Sequence, residues 1–305
     1  MRVLLSGDHQ YPAYDREGSG LNPKPYPSRS GQHIHDLLAK GLSQLGHEVL
    51  YLLPQPAREP LPPGVTLISQ PTDDVDILHN MAFHDEKVVE YMVSRNKPWV
   101  TTCHLDLRAR GKERRPSTAN WIFVSRSLAH THGSERWVWN GIDPSDYEYS
   151  EVKQDYLLFL CALDWAFDKG LETALRVARV TGIKLVVAGT GTTQEVVDRV
   201  GGICREWGAS CVGDVRGAAK AHLLGHAKGL IFPTQLNEAF GLVMVEALMS
   251  GTPVICSDNG ACPEIISPDV GFVCRSFDEY VDAAKRLETM DPQVCRHTPS
   301  SDFII

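Results

Sequence analysis

Short apolar runs alternate with longer segments of helical periodicity along the whole chain. The first such segment predicts a helix from about Gln32 to Leu45, because apolar residues recur on one face and Gly46 follows. These residues are Ile34, Leu37, Leu38, Leu42 and Leu45. The apolar runs of the first half predict β-strands at 2–6, 48–53, 65–68, 76–79, 98–103 and 121–124.

The second half repeats this alternation. It predicts strands at 156–160, 184–188, 230–232 and 253–256, and helices at 170–181, 193–207, 217–227 and 278–288. Alternating strands and helices are typical of α/β domains built on a parallel sheet. Polar and acidic residues between 144 and 153 separate the two halves. We therefore predict two Rossmann-like, doubly wound domains, at 1–148 and 149–305.

Composition narrows the class of protein. The chain has 305 residues, of which 43% are hydrophobic and 22% charged, as in ordinary globular proteins. A formal net charge of −8 argues against general nucleic-acid binding. The first residues predict a β-strand rather than a signal peptide, and no apolar run reaches the about 18 residues that span a bilayer.

The eight cysteines form no Cys-x-x-Cys pair, and most lie in apolar segments. We interpret them as buried free thiols, which favours the cytoplasm and suggests no zinc site. Asp74-Val75-Asp76 has the Asp-x-Asp spacing of some metal-dependent transferases, but it leads into an apolar run. We interpret this segment as the polar entry to a strand.

Two segments lie outside this regular pattern. Residues 8–30 are rich in Tyr, Pro, Gly and Ser, which predicts a long loop. Residues 108–115 carry five basic side chains against one glutamate. This basic segment is either a solvated loop or a contact for an anionic acceptor or an anionic membrane surface, which would place the protein peripherally at the inner membrane face.

Residues 238–246 are the most informative stretch, because Glu238 precedes a glycine and Glu246 lies within an apolar helical segment. Eight residues of continuous helix rise about 12 Å. The two carboxyl groups of a retaining glycosidase lie about 5–5.5 Å apart, so this spacing argues against hydrolytic acid–base work. N–H groups near Gly241 and Leu242, at the start of the helix, would instead face an anion.

The same stretch resembles a known family. Pro233-Thr234, Glu238-Ala239-Phe240-Gly241, Glu246-Ala247-Leu248 and Gly251-Thr252-Pro253-Val254 are similar to the signature of family 4 glycosyltransferases. That resemblance implies a metal-independent, retaining hexosyltransferase of the GT-B fold, with two Rossmann-like domains facing a cleft. It also implies a nucleoside-diphosphate sugar as donor, no cofactor, and an acceptor that is a glycan, a lipid or a small metabolite.

The resemblance also assigns roles to residues. His104, which follows a strand, would meet the donor sugar, Lys169 would meet the diphosphate, and Glu238 would hold sugar hydroxyls. Glu246 would hold the nucleotide ribose. The remaining residues expected to bind the donor are Gly31, Gly189, Val212, Ala239, Phe240, Gly241 and Leu242.

The chain departs from the family pattern at Cys161-Ala162, where the family usually has Gly-Arg. That arginine also binds the diphosphate, and Arg29, Arg126 and Arg216 are candidates to replace it. Two alternatives therefore stay open: a degenerate protein that binds a nucleotide sugar without turnover, and a GT-B sugar-nucleotide epimerase.

Overall fold

The computed structural model describes residues 1–13, 30–81, 86–108 and 120–298. It divides into two compact units, and the division lies between Gly141 and Ile142. The predicted loop at 8–30 and the basic segment at 108–115 lie mostly outside the described residues.

The first unit is built on a parallel sheet of six strands in the order β3-β2-β1-β4-β5-β6. The strands are β1 (Arg2–Ser6), β2 (Glu48–Leu52), β3 (Val65–Ile68), β4 (Ile77–Asn80), β5 (Trp99–Cys103) and β6 (Trp121–Phe123). The helices described in this unit are α1 (Ser30–Gln44), α2 (Glu86–Val93) and α3 (Arg126–Thr131). All six predicted strands are present.

Two details of this unit refine the sequence analysis. Leu45 was assigned to the buried face of the first helix, but it is 76% exposed because α1 ends at Gln44. Asp74 and Asp76 lead into β4 as predicted, and both contact Arg2 at the start of β1. The Asp-x-Asp segment therefore links two strand starts.

The second unit has a parallel sheet of six strands in the order β12-β11-β10-β7-β8-β9. The strands are β7 (Tyr156–Leu160), β8 (Lys184–Ala188), β9 (Ser210–Gly213), β10 (Gly229–Phe232), β11 (Val254–Ser257) and β12 (Gly271–Cys274). The helices are α4 (Leu171–Thr181), α5 (Gln194–Glu206), α6 (Gly217–His226), α7 (Leu242–Met249), α8 (Cys262–Ile265), α9 (Phe277–Arg286) and α10 (Pro292–His297).

Both sheets have the strand order 3-2-1-4-5-6 of the doubly wound Rossmann fold when each is numbered from its own first strand. The central strands β7, β10 and β11 are almost fully buried, as expected for a parallel sheet covered on both faces. The predicted α/β fold class with two doubly wound domains is thus confirmed.

All eight cysteines lie among the described residues, and none forms a disulfide; six are buried. No helix within the described part of the chain has the length and apolar character needed to cross a membrane.

Candidate functional site

The second sheet has its topological switch point between β7 and β10. The chain leaves β7 towards β8 on one side and leaves β10 towards β11 on the other, which opens a crevice at the carboxyl ends of these strands. Lys169 lies in the loop after β7, and Glu238 lies in the loop after β10. Two predicted site residues are therefore carried to the same edge of the sheet.

Lys169 and Glu238 are in contact, although 69 residues separate them in the chain. The Lys169 ammonium donates a short charge-assisted hydrogen bond to the Glu238 carboxylate, and it lies 5.2 Å from the centroid of the Phe232 ring. The side chains are 20% and 11% exposed, so the pair is largely removed from water. A diphosphate entering here would meet a cation that already has a fixed position.

The backbone of the Glu238 loop is fixed from two sides. The Gln235 N–H donates to the Asp168 carbonyl at 2.8 Å, which ties this loop to the one that carries Lys169. The Ala261 N–H donates to the Glu238 carbonyl at 2.9 Å from beyond β11. The ion pair is thus supported by main-chain hydrogen bonds that need no particular side chain.

The start of α7 has the features of an anion site. Gly241 is its N-cap residue, with a left-handed φ of 88° that favours glycine, and no side chain caps the helix. A Cβ on Gly241 would lie 2.5 Å from Met244 Cε and 3.4 Å from Glu238 Cγ. The first N–H groups of a helix have no partner within it, and the helix dipole makes this end positive.

The residues on either side of Gly241 differ in burial. Phe240 is buried and serves as a packing residue, whereas Ala239 and Leu242 are half-buried. The N–H groups near Gly241 and Leu242 stay the groups predicted to face an anion.

Glu246 lies one turn into α7 and is 6% exposed. Its Oε1 accepts a hydrogen bond from Lys220 Nζ at 2.7 Å and another from the Tyr147 hydroxyl at 3.1 Å. Lys220 comes from α6, and Tyr147 follows the 3₁₀ turn Pro144–Asp146. A buried carboxylate with two donors is fixed in orientation and keeps lone pairs for a ligand. The sequence analysis missed Lys220 and Tyr147.

Gly189 follows β8 and packs directly against the loop after β7. Its φ is 150°, and a Cβ there would lie 1.6 Å from the Cys161 carbonyl oxygen, so only glycine fits. Its N–H donates to the Gly213 carbonyl at 2.7 Å. Val212, predicted to bind the donor, is half-buried on β9 beside this turn. Gly189 and Val212 are thus linked by neighbouring strand ends.

The arginine expected near residue 162 has no direct replacement in the described part of the second unit. Ala162 instead precedes the 3₁₀ turn Leu163–Trp165. Arg216 donates from Nε to Asp214 at 2.7 Å, and the two side chains are 8% and 5% exposed. Arg126 belongs to the first unit, and Arg29 lies outside the described residues. Lys169 is the cation that the structure positions at the switch point.

The first unit carries the other predicted residues, His104 and Gly31. His104 follows β5, and a Cβ on Gly31 would lie 3.8 Å from its ring, so the two residues are neighbours. Among the described residues, His104 Nε2 has no hydrogen-bond partner. Burial, with a smaller contribution from His79, lowers the pKa of His104 to about 4. The imidazole is therefore neutral at pH 7 and available for a hydrogen bond.

Comparison with known proteins finds a family match within the second unit. Residues 148–297 match the family model described as glycosyl transferases group 1. The chain is 26% identical to D-rhamnosyltransferase WbpZ of Pseudomonas aeruginosa over 199 residues. This match covers 57% of the chain and 52% of that protein. The chain spans about half or less of the length of the curated relatives it matches.

Solved structures extend the likeness to the whole chain. AviGT4, a glycosyltransferase involved in Avilamycin A biosynthesis, is similar at a TM-score of 0.74 and 25% identity, over 99% of this chain and 93% of that one. Anabaena Alr3699/HepE, solved in complex with UDP and glucose, has a TM-score of 0.70 and 15% identity. This match covers 100% of the present chain and 96% of HepE. The two-domain α/β fold is that of GT-B glycosyltransferases. The group 1 match over residues 148–297 supports a transferase activity for this part of the chain.

Proposed function

We propose that the protein is a retaining glycosyltransferase of family 4 that moves a sugar from a nucleoside-diphosphate sugar to an acceptor hydroxyl. The observation that carries this proposal is the start of α7, where Glu238 is paired with Lys169 and its Cγ would lie 3.4 Å from a Cβ on Gly241, the N-cap residue. This position lies within the segment that matches the group 1 model. A cation and helix amides are the groups that stabilise a leaving diphosphate.

Each carboxylate then has a separate task. Glu246, oriented by Lys220 and Tyr147, would accept hydrogen bonds from the ribose hydroxyls. Glu238, held by Lys169, would accept hydrogen bonds from hydroxyls of the transferred sugar. His104 and Gly31 belong to the first unit, and their roles stay predictions of the family resemblance.

The reaction breaks the bond between the anomeric carbon and the diphosphate oxygen, and forms a bond from that carbon to the acceptor oxygen. The proton of the acceptor hydroxyl ends on the leaving phosphate, so no protein base is required. Negative charge grows on the diphosphate as the bond breaks, and Lys169 with the α7 amides would stabilise it. In this proposal turnover does not require added Mg²⁺.

The test measures release of nucleoside diphosphate from a panel of nucleotide sugars. UDP sugars come first, because a protein with this fold was solved with UDP and glucose. We expect Glu238→Gln and Glu246→Gln each to lower turnover by about 10- to 100-fold, the value of one charge-assisted hydrogen bond. The control is Glu206→Gln, an exposed residue at the end of α5. Unchanged turnover in both folded variants would refute the proposal.

A second candidate is a protein that binds a nucleotide sugar without transferring it. Ala162 favours it, because one cation of the family pattern is missing and Arg216 is held by Asp214. Calorimetric binding of a nucleotide sugar, without release of nucleoside diphosphate in the presence of varied acceptors, would support this candidate instead.

The location of the protein is part of the proposal. Eight free thiols are typical of a reducing compartment, so we propose the cytoplasm. The basic segment at 108–115 would give peripheral contact with an anionic membrane surface or an anionic acceptor. Sedimentation with vesicles that contain anionic lipid, compared with neutral vesicles, tests the membrane contact.

A further inference from the structure

A cluster of histidines lies at the switch point of the first sheet, between β1 and β4. Asp8 and His9 follow the carboxyl end of β1, and His35 lies in the second turn of α1. His9 is 8% exposed and His35 is 3% exposed, with ring centroids 5.5 Å apart. Potential metal-ligating atoms of Asp8, His9 and His35 all lie within 4.8 Å of one another.

The hydrogen bonds around His9 determine which of its nitrogens is free. The Tyr51 hydroxyl donates its single proton to Asp36 Oδ1 at 2.9 Å, and the same oxygen lies 2.9 Å from His9 Nε2. A carboxylate only accepts, so the proton between these atoms belongs to His9 Nε2. His9 Nδ1 therefore carries a lone pair. A histidine held by a carboxylate in this way is the usual arrangement around a metal-binding imidazole.

The free nitrogens have no partner in the described part of the protein. Neither His9 Nδ1 nor His35 Nδ1 forms a hydrogen bond there, although both atoms are buried. Leaving a buried polar atom unpaired is costly, so such atoms usually indicate a ligand or an unseen ion or water.

The backbone leaves room beside His9. A Cβ on Gly7 would lie 3.1 Å from His9 Nδ1, so a larger residue would crowd the free nitrogen. On the solvent side, Asp8 is exposed, and its Oδ1 accepts a hydrogen bond from Gln32 at 3.0 Å. The two buried nitrogens are thus accompanied by one carboxylate that has the freedom to turn towards them.

We propose that Asp8, His9 and His35 bind a zinc ion. Two imidazole nitrogens and one carboxylate are a typical zinc ligand set, and they leave a coordination position for water or for an oxygen of a bound molecule. Tetrahedral zinc at about 2.0–2.1 Å from each ligand needs ligand atoms about 3.4 Å apart. Rotation of the exposed Asp8 side chain would bring its carboxylate towards the two imidazole nitrogens. All three ligands belong to the first unit, and the proposal does not rest on the proposed function.

A second histidine group provides a control. Glu148, His222 and His226 are also close enough to share a metal, but their side chains are 45%, 56% and 17% exposed. His226 Nδ1 lies 3.1 Å from the His222 carbonyl, so one of its ring nitrogens is already engaged within α6. The double variant His222→Gln/His226→Gln removes these two histidines and leaves the cluster of Asp8, His9 and His35 unchanged.

The experiment titrates the chelator-treated full chain with Zn²⁺ by calorimetry and with Co²⁺ by visible absorption, which reports tetrahedral coordination. We expect one site that survives in His222→Gln/His226→Gln. Asp8→Asn should weaken it by about 10-fold or more, and His35→Gln by about 100-fold or more. Zn²⁺ should also raise the Tm of the wild-type chain, and this rise should shrink in Asp8→Asn.

Asp8 is exposed, so Asp8→Asn stays informative even if a buried substitution prevents folding. The proposal is overturned if no site binds Zn²⁺, or if Asp8→Asn leaves both the affinity and the rise in Tm unchanged. It is equally overturned if binding disappears in His222→Gln/His226→Gln, because the exposed pair would then be the site.

Discussion

Replacement of Lys169 by methionine separates the role of this side chain in ligand binding from its role in stability. Methionine keeps most of the apolar length of lysine but removes the ammonium that pairs with Glu238. A charge-assisted hydrogen bond contributes about 1.5–3 kcal/mol. We therefore expect Lys169→Met to raise the Kd for a nucleoside diphosphate by about 10- to 150-fold. The Kd for the nucleoside without phosphates should change less than about twofold, since that ligand lacks the group that Lys169 would bind.

The same substitution has a separate cost in stability. It leaves Glu238, whose side chain is 11% exposed, without its ionic partner. We expect the free energy of unfolding to fall by about 1–2 kcal/mol, below the value for a fully buried pair because Lys169 retains some exposure to solvent. In the double variant Lys169→Met/Glu238→Gln, no unpaired charge remains, so stability should return while diphosphate affinity stays low.

Isothermal calorimetry with the nucleoside, its monophosphate and its diphosphate measures the affinities, and urea denaturation measures stability. Lys184→Met is the matched control, because Lys184 is exposed at the amino end of β8, away from the strand ends that carry the site. The reasoning is refuted if Lys169→Met weakens the nucleoside as much as the diphosphate, or if the double variant regains diphosphate affinity.

Three further predictions concern other parts of the structure. Lys220→Met leaves the buried Glu246 with Tyr147 as its remaining donor, so urea denaturation should show a free energy of unfolding lower by about 1–3 kcal/mol. A stability equal to wild type would contradict the structural role of the Lys220–Glu246 pair. Gly189→Ala should lower the free energy of unfolding by about 3 kcal/mol or more, because its Cβ would overlap a carbonyl. Gly208→Ala, whose Cβ would meet no atom within 4 Å, should lower it by only about 1 kcal/mol, and equal losses would contradict this reasoning. Burial lowers the pKa of His79 to about 4, so the unfolded chain takes up its proton first as the pH falls below about 6.5. As the pH falls from 7 to 5, this histidine should therefore lower the free energy of unfolding by about 2 kcal/mol. Urea denaturation at several pH values measures this loss, and His79→Gln should show a loss smaller by that amount.

The sequence predicted the fold well, because each strand of a covered parallel sheet is a short apolar run. The helix expected to start near Gly241 and Leu242 is Leu242–Met249, and the glycines on either side, Gly241 and Gly251, both have a left-handed φ. Strands β9 and β12 were not predicted, because Ser210–Gly213 and Gly271–Cys274 are short segments with few strongly apolar residues.

The contacts within the site were harder to predict. Lys169 and Glu238 were each named, but their pairing depends on which loops meet at the switch point, and sequence spacing does not report that. Lys220 was missed because one lysine in an apolar helix carries no motif, and Tyr147 because it lies at a polar seam between the halves. His9 gives no signal in the sequence, because its neighbour His35 is brought beside it only by the packing of α1.

The central claim is that the start of α7 holds the diphosphate of a nucleotide sugar, and a crystal structure with bound nucleoside diphosphate tests it most directly. The ligand is chosen by a thermal-shift screen, since binding to the native state raises Tm. The account predicts the diphosphate against the N–H groups after Gly241 and the ammonium of Lys169, with the ribose hydroxyls on Glu246. A nucleotide bound with its phosphates away from Gly241 and Lys169, or no binding of any nucleoside diphosphate, would contradict it.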